Sequence, residues 1–76
     1  MKQKTSEIKK KYSIYITKGI KYAHENEIEV SQSFFLKAIK LDKTNKEGHI
    51  NLANTYLIKN NVDMCLSTLS NYIFNI

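Results

Sequence analysis

A chain of 76 residues holds at most one domain, and a domain this short buries only about 60% of the surface its unfolded chain exposes. That size excludes a catalytic core with a separate cofactor domain, and the near absence of breakers (no Pro, and glycine only at Gly19 and Gly48) disfavours hairpin-rich β structure. The net charge is +5, carried by lysine with no arginine, which weakens a nucleic-acid reading because arginine supplies the bidentate base and phosphate contacts.

In chain order, residues 1–11 read as a basic N-terminal arm. Lys2, Lys4, Lys9, Lys10 and Lys11 stand there against Glu7 alone, a solvated leader or a patch for phosphates and anionic headgroups. The first helix is predicted from Ser6 or Tyr12 to Glu25, on the three-and-four spacing of Ile8, Tyr12, Tyr15, Gly19 and Tyr22 with Ile16, Ile20 and Ala23. Asn26-Glu27 ends it, since asparagine tolerates the left-handed conformation at low cost. The second helix is expected over Ile28–Leu41 on Ile28, Ser31, Phe35, Ala38 and Leu41. Asp42-Lys43-Thr44-Asn45 follows, and Thr44 with Glu47 three residues on has the capping-box pattern. The third helix is expected over Lys46–Lys59, the break at Asn60-Asn61, and the fourth over Val62–Asn75. Short links place successive helices side by side and antiparallel. Cys65 is the lone cysteine, so no internal disulfide forms and a reducing, cytoplasmic setting is expected. No stretch approaches the roughly 18 apolar residues of a membrane span.

Sliding the chain by 34 residues lays Tyr22 on Tyr56, Asn26 on Asn60, Gly19 on Ala53, Ile28 on Val62, Ser31 on Cys65, Phe35 on Leu69 and Ile39 on Ile73. Small falls on small and apolar on apolar, as in a helix–turn–helix solenoid. Within that frame, Tyr15-x-x-Lys18-Gly19-x-x-Tyr22 followed by Ser31, Phe35 and Ala38, and then His49-x-x-Leu52-Ala53-x-x-Tyr56, resemble the tetratricopeptide repeat family. The resemblance covers Tyr12 to the C-terminus and implies an all-α fold of two antiparallel helix–turn–helix repeats, four helices in all. Repeat one is expected over 12–45 and repeat two over 46–76, the second incomplete and without a capping helix. Lys43 stands where the family has proline, and Tyr72 where it has alanine.

The resemblance also implies a concave groove lined by the first helix of each repeat. Mapped onto this chain, it holds Ser13, Ile16, Ile20 and His24, then Glu47, Ile50, Asn51, Asn54 and Ile58. A peptide or helix is the expected occupant, its backbone met by the asparagines and its apolar side chains by the isoleucines. A chaperone carboxylate clamp is argued against, because Ile16 and Ile20 stand where the clamp has lysine and asparagine. No catalytic, metal or cofactor site is expected. His24, His49 and Cys65 fall on different faces, with His49 in an aromatic packing slot and Cys65 in a small buried one. Glu25, Glu27 and Glu29 read as solvated charge around a turn. The aromatic residues read as core rather than a base-stacking platform. An apolar C-terminal end predicts self-association through Leu66, Leu69, Ile73 and Phe74, with a homo-oligomer as one form of partner. The function expected is a non-catalytic protein–protein interaction module. The alternatives are the N-terminal or fragmentary repeat region of a larger enzyme such as a transferase, and a Lys-rich arm on nucleic acid or anionic membrane, the last disfavoured.

Overall fold

The computed structural model describes the backbone of residues 2–74 and the side chains of residues 5–74. Four α-helices follow one another: α1 (Lys2–His24), α2 (Ile28–Leu41), α3 (Lys46–Ile58) and α4 (Val62–Phe74). No strand occurs among the described residues. α1 packs on α2, α3 on α4, and the two hairpins meet through α2 and α3 with a narrower contact between α1 and α3. The fold is all-α, with two stacked helical hairpins. α1 begins at Lys2 rather than at Ser6 or Tyr12, because its first residues include no glycine or proline to break the ladder. The backbone of the basic arm is thus the opening of α1. The expected end of the last helix at Asn75 lies outside the described residues.

The hairpin turns are built from one device used twice. Asn26 and Asn60 have φ of 63° and 60°, the left-handed conformation that asparagine tolerates. Around Asn26, the Glu27 N–H reaches the Tyr22 carbonyl at 2.8 Å and the Asn26 N–H the Ala23 carbonyl at 3.1 Å. Around Asn60, the Asn61 N–H reaches the Tyr56 carbonyl at 2.8 Å and the Asn60 N–H the Leu57 carbonyl at 2.9 Å. Each is a Schellman end, which satisfies carbonyls the helix would leave orphaned. The 34-residue period is therefore written in the backbone hydrogen bonds as well as in the side chains. Asn61 also opens α4, its Oδ1 accepting from the Met64 N–H at 3.1 Å.

The capping box expected at Thr44 is not what opens α3. The Thr44 N–H and hydroxyl both donate to Asp42 Oδ1, at 3.1 and 2.7 Å, so Thr44 is committed to the turn. Asn45, with extended backbone, is the N-cap, and its Oδ1 accepts from the Glu47 N–H at 3.0 Å. A second orphan donor finds its partner far away in sequence. The Gly48 N–H donates to the Tyr12 hydroxyl at 2.8 Å, a buried bond from α3 to α1.

The core lies where the hairpins meet. Tyr12, Ile16, Phe35, Ala38 and Leu52 form one buried cluster, with Tyr15, Ile39, Leu41 and Tyr56 packed against it. Inside hairpin one, Gly19 is required by its neighbour. A Cβ there would sit 2.6 and 2.7 Å from Phe35 Cδ1 and Cζ. Opposite, the Ser31 hydroxyl donates to the Gly19 carbonyl at 2.7 Å, both groups buried. The small residues at this crossing are what let the Phe35 ring lie against bare backbone. Tyr15 and Tyr22 are only half-buried; they flank this contact instead of filling it, and the tyrosine that is fully buried is Tyr12. Between hairpins, Gln32 Nε2 donates to Thr55 Oγ1 at 3.0 Å, and Lys59 pairs with Glu29. That pairing holds the exposed Glu29 carboxyl below its ordinary range, chiefly through the hydrogen bond from Lys59.

Three outcomes follow for stability, each read by thermal or denaturant unfolding. Gly19→Ala costs roughly 1–3 kcal/mol by overpacking against Phe35 despite the better helix propensity of alanine, and Phe35→Leu in the same chain recovers part of the loss. Asn26→Ala and Asn60→Ala each cost about 1 kcal/mol, whereas glycine at either position is tolerated. Tyr12→Phe leaves the Gly48 N–H without its buried acceptor and costs about 1–3 kcal/mol. Burial is the main cause that pushes the Tyr12 hydroxyl above its ordinary pKa of 10.0. Its folded pKa being raised, its contribution is complete below about pH 10 and is lost as pH climbs beyond. An alkaline melt that is no less steep in Tyr12→Phe would show that this hydroxyl is not the group responsible.

Candidate partner-binding surfaces

On α1, the helical spacing puts Ser13, Ile20 and His24 along one face; on α3 it does the same for Glu47, Ile50, Asn54 and Ile58. The structure leaves all seven exposed, with Ile20 at 38%, Ile50 at 43% and Ile58 at 57%. Asn51 is half-buried, and its amide donates to the Glu47 carbonyl at 2.9 Å within its own helix. Asn54 is thus the more accessible of the two asparagine amides. Ile16 departs from the expected set. It is 5% exposed and belongs to the buried cluster around Leu52. The reason is that Phe35 and Ala38 of α2, with Leu52 of α3, close over the turn of α1 that carries Tyr12 and Ile16.

Two of the expected residues are brought together. Ser13 and Glu47 line one hollow of about 260 Å³ between the start of α3 and the middle of α1. Ile8, Lys9, Tyr12, Asp42 and Asn45 complete its walls. None of these five was among the residues expected from the sequence. The available signal was weak: Ile8 lies one turn before Tyr12 on the same face, and Asn45 is an N-cap residue type. The Asp42 and Glu47 carboxylates add to the upward push that burial exerts on the Tyr12 hydroxyl.

A second hollow of about 350 Å³ opens on the other side of α3, between α2 and α4. Leu36, Ile39, Leu52, Tyr56 and Met64 give it apolar walls, and His49 stands among them. His49 is 6% exposed, with Nε2 2.9 Å from the Lys43 carbonyl and its ring 4.9 Å from that of Tyr72. It fills an aromatic slot, as expected. Cys65 is buried on α4, in the slot equivalent to Ser31. Among the described residues no three His, Cys, Asp or Glu side chains cluster closely enough to hold a metal ion. No helix among them is long and apolar enough to cross a membrane.

The outer face of hairpin one is aromatic and cationic. Phe34 stacks on Tyr22 at 5.5 Å with nearly parallel rings, and lies 6.2 Å from Tyr15. Lys18 and Lys37 stand 5.7 and 5.1 Å from the Phe34 ring centre, and Lys21 stands 5.8 Å from that of Tyr22. Their stems cover apolar ring surface while the ammonium groups stay in water.

The searches of curated proteins and of solved structures gave no match. The family model for the tetratricopeptide repeat matches residues 34–67. That window opens in α2 at Phe34, takes in all of α3 and closes in α4 at Ser67. It spans the junction between the two hairpins, where the core cluster and both hollows lie. This match and the pair of stacked helical hairpins support assignment to the tetratricopeptide repeat family, whose repeats generally serve as protein-interaction modules.

Proposed function

We propose that the chain is a non-catalytic interaction module that takes a peptide or helix of another protein along the α1–α3 face. The observation that carries this reading is the hollow shared by Ser13 and Glu47, which joins the two repeats on that face. Farther along the same two helices are Ile20, Ile50 and Ile58, all between a third and two thirds exposed. Half-exposed aliphatic side chains in a row give a partner apolar area to cover. Asn54 offers an amide to the partner's backbone, and the Asp42 and Glu47 carboxylates at the hollow outnumber Lys9 there and favour a cationic group over an anionic one. An acidic C-terminal carboxylate is a poor fit for the same reason.

The lysine-rich start of α1 supports a nucleic-acid or membrane reading less well. Lys9, Lys10 and Lys11 are consecutive on a helix and exposed, so their charges radiate around the axis instead of forming one stripe. A continuous basic face is what phosphate tracking requires.

The test is an affinity capture with the intact chain beside a chain carrying Ile20→Glu and Asn54→Ala. Both positions are exposed, so circular dichroism of the variant should match the parent. Ile16→Glu is unsuitable, since a charge in the buried cluster would unfold the protein. Proteins retained by the parent and lost from the folded variant, with at least about tenfold weaker binding, are the expected result. Partners that bind both chains equally would place the interface elsewhere.

A further inference from the structure

Internal symmetry shows what each hairpin does with its C-terminal face. In hairpin one, the side chains that receive α3 are Ile16, Gln32, Phe35, Ala38 and Ile39. They surround Leu52, meet Gly48 or bond Thr55. Thirty-four residues on, the same positions of hairpin two are Ile50, Leu66, Leu69, Tyr72 and Ile73. All five are apolar or aromatic. Ile16 is 5% exposed and its equivalent Ile50 43%; the half-buried Gln32 and Ile39 correspond to Leu66 at 57% and Ile73 at 61%; and the buried Phe35 and Ala38 correspond to the half-buried Leu69 and Tyr72. Hairpin two therefore leaves more exposed, at Ile50, Leu66 and Ile73, the kind of surface that hairpin one covers. Val62 at 54% and Phe74 at 86% extend the patch.

Charge decides what fits there. The opposite face of the molecule is the side of α1 equivalent to the side of α3 that docks. Lys18 takes the place of Leu52 there, and Lys21 the place of Thr55. A second copy added head to tail would have to bury both ammonium groups against aliphatic side chains, at a cost of several kcal/mol each without a partner charge. The lysines that cover Phe34 and Tyr22 thus close that face to stacking. α4 is the reverse. In a chain with 12 lysines it has none, and Asp63 is its sole charged residue. Depletion of charge at an exposed apolar patch is the composition of an interface centre.

We propose that a second copy of this chain covers the α3–α4 face, tail to tail about a two-fold axis. The stripe Val62, Leu66, Leu69 and Ile73, at helical spacings of four, three and four, pairs with its own copy. Self-pairing brings together the one helix without lysine, so the +5 charge of each protomer stays at a distance. A two-fold contact uses the patch up and closes at two protomers, whereas head-to-tail contacts would grow without limit. The inference is independent of the α1–α3 groove, which lies on other residues apart from Ile50.

Sedimentation of the full chain from low micromolar to near millimolar concentration tests it, with circular dichroism as the check on folding. The expected result is a reversible monomer–dimer equilibrium with nothing larger. Leu66→Glu and Ile73→Glu should each weaken it by about tenfold or more with helicity unchanged. Ile14→Glu, on the opposite face at the position equivalent to Gly48, should leave it intact. A monomer at every concentration overturns the proposal. So does growth beyond dimers, or a dimer that Ile14→Glu breaks and Leu66→Glu does not.

Discussion

The packing of the two hairpins depends on Tyr12. Its ring lies in the buried cluster that draws on α1, α2 and α3 together, and its hydroxyl accepts the Gly48 N–H at the opening of α3. One side chain thus contributes apolar area and satisfies one of the four donors that every helix start leaves open. Gly48 makes the approach possible. A Cβ there would already lie 3.0 Å from Ile39 Cγ1 and 3.1 Å from the Tyr12 hydroxyl oxygen. With Asn45 capping the Glu47 N–H beside it, the start of α3 is fixed by two acceptors from different parts of the chain. The hollow between Ser13 and Glu47 is what remains at the surface once that junction has formed.

The architecture was legible because it is periodic. The 34-residue offset depends on residue type at many positions at once, so Lys43 and Tyr72, which depart from the family pattern, do not blur it. Tyr72 is accommodated because no described helix packs on α4 as α3 packs on Ala38; its ring lies instead against His49. The asparagine turns were legible for a local reason, the backbone preference of a single residue. The N-cap of α3 was not. Thr44 and Asn45 are both good caps, and what separates them is that the Asp42 carboxylate takes up Thr44. That competition is visible only when the turn is seen in three dimensions.

The candidate groove was legible in part. The resemblance maps Ser13, Ile20, His24, Glu47, Ile50, Asn54 and Ile58 onto the first helix of each repeat, and the structure leaves these seven exposed. Such a mapping cannot say how far one helix leans over the next. Phe35 and Ala38 of α2 and Leu52 of α3 bury Ile16 and turn a surface isoleucine into a core one. The packing of the α3 start beside α1 brings Asp42, Asn45 and Glu47 against Ile8, Lys9 and Ser13, a juxtaposition that no spacing within one helix encodes. Spacing within an element was sufficient for faces and silent about the gaps between elements.

The distance along the chain between Tyr12 and Gly48, 36 residues, bears on how the molecule assembles. Most other contacts join neighbouring helices, and each hairpin closes on its own asparagine turn with hydrogen bonds that span five residues or fewer. Such short-range closures carry little loop entropy and form quickly. The tyrosine that bridges the hairpins can find its amide only after both have taken shape, so mutual docking is the late event in folding and its undoing the early one in unfolding. A hairpin released in this way would keep its turn but lose the neighbour that covers its broad apolar side.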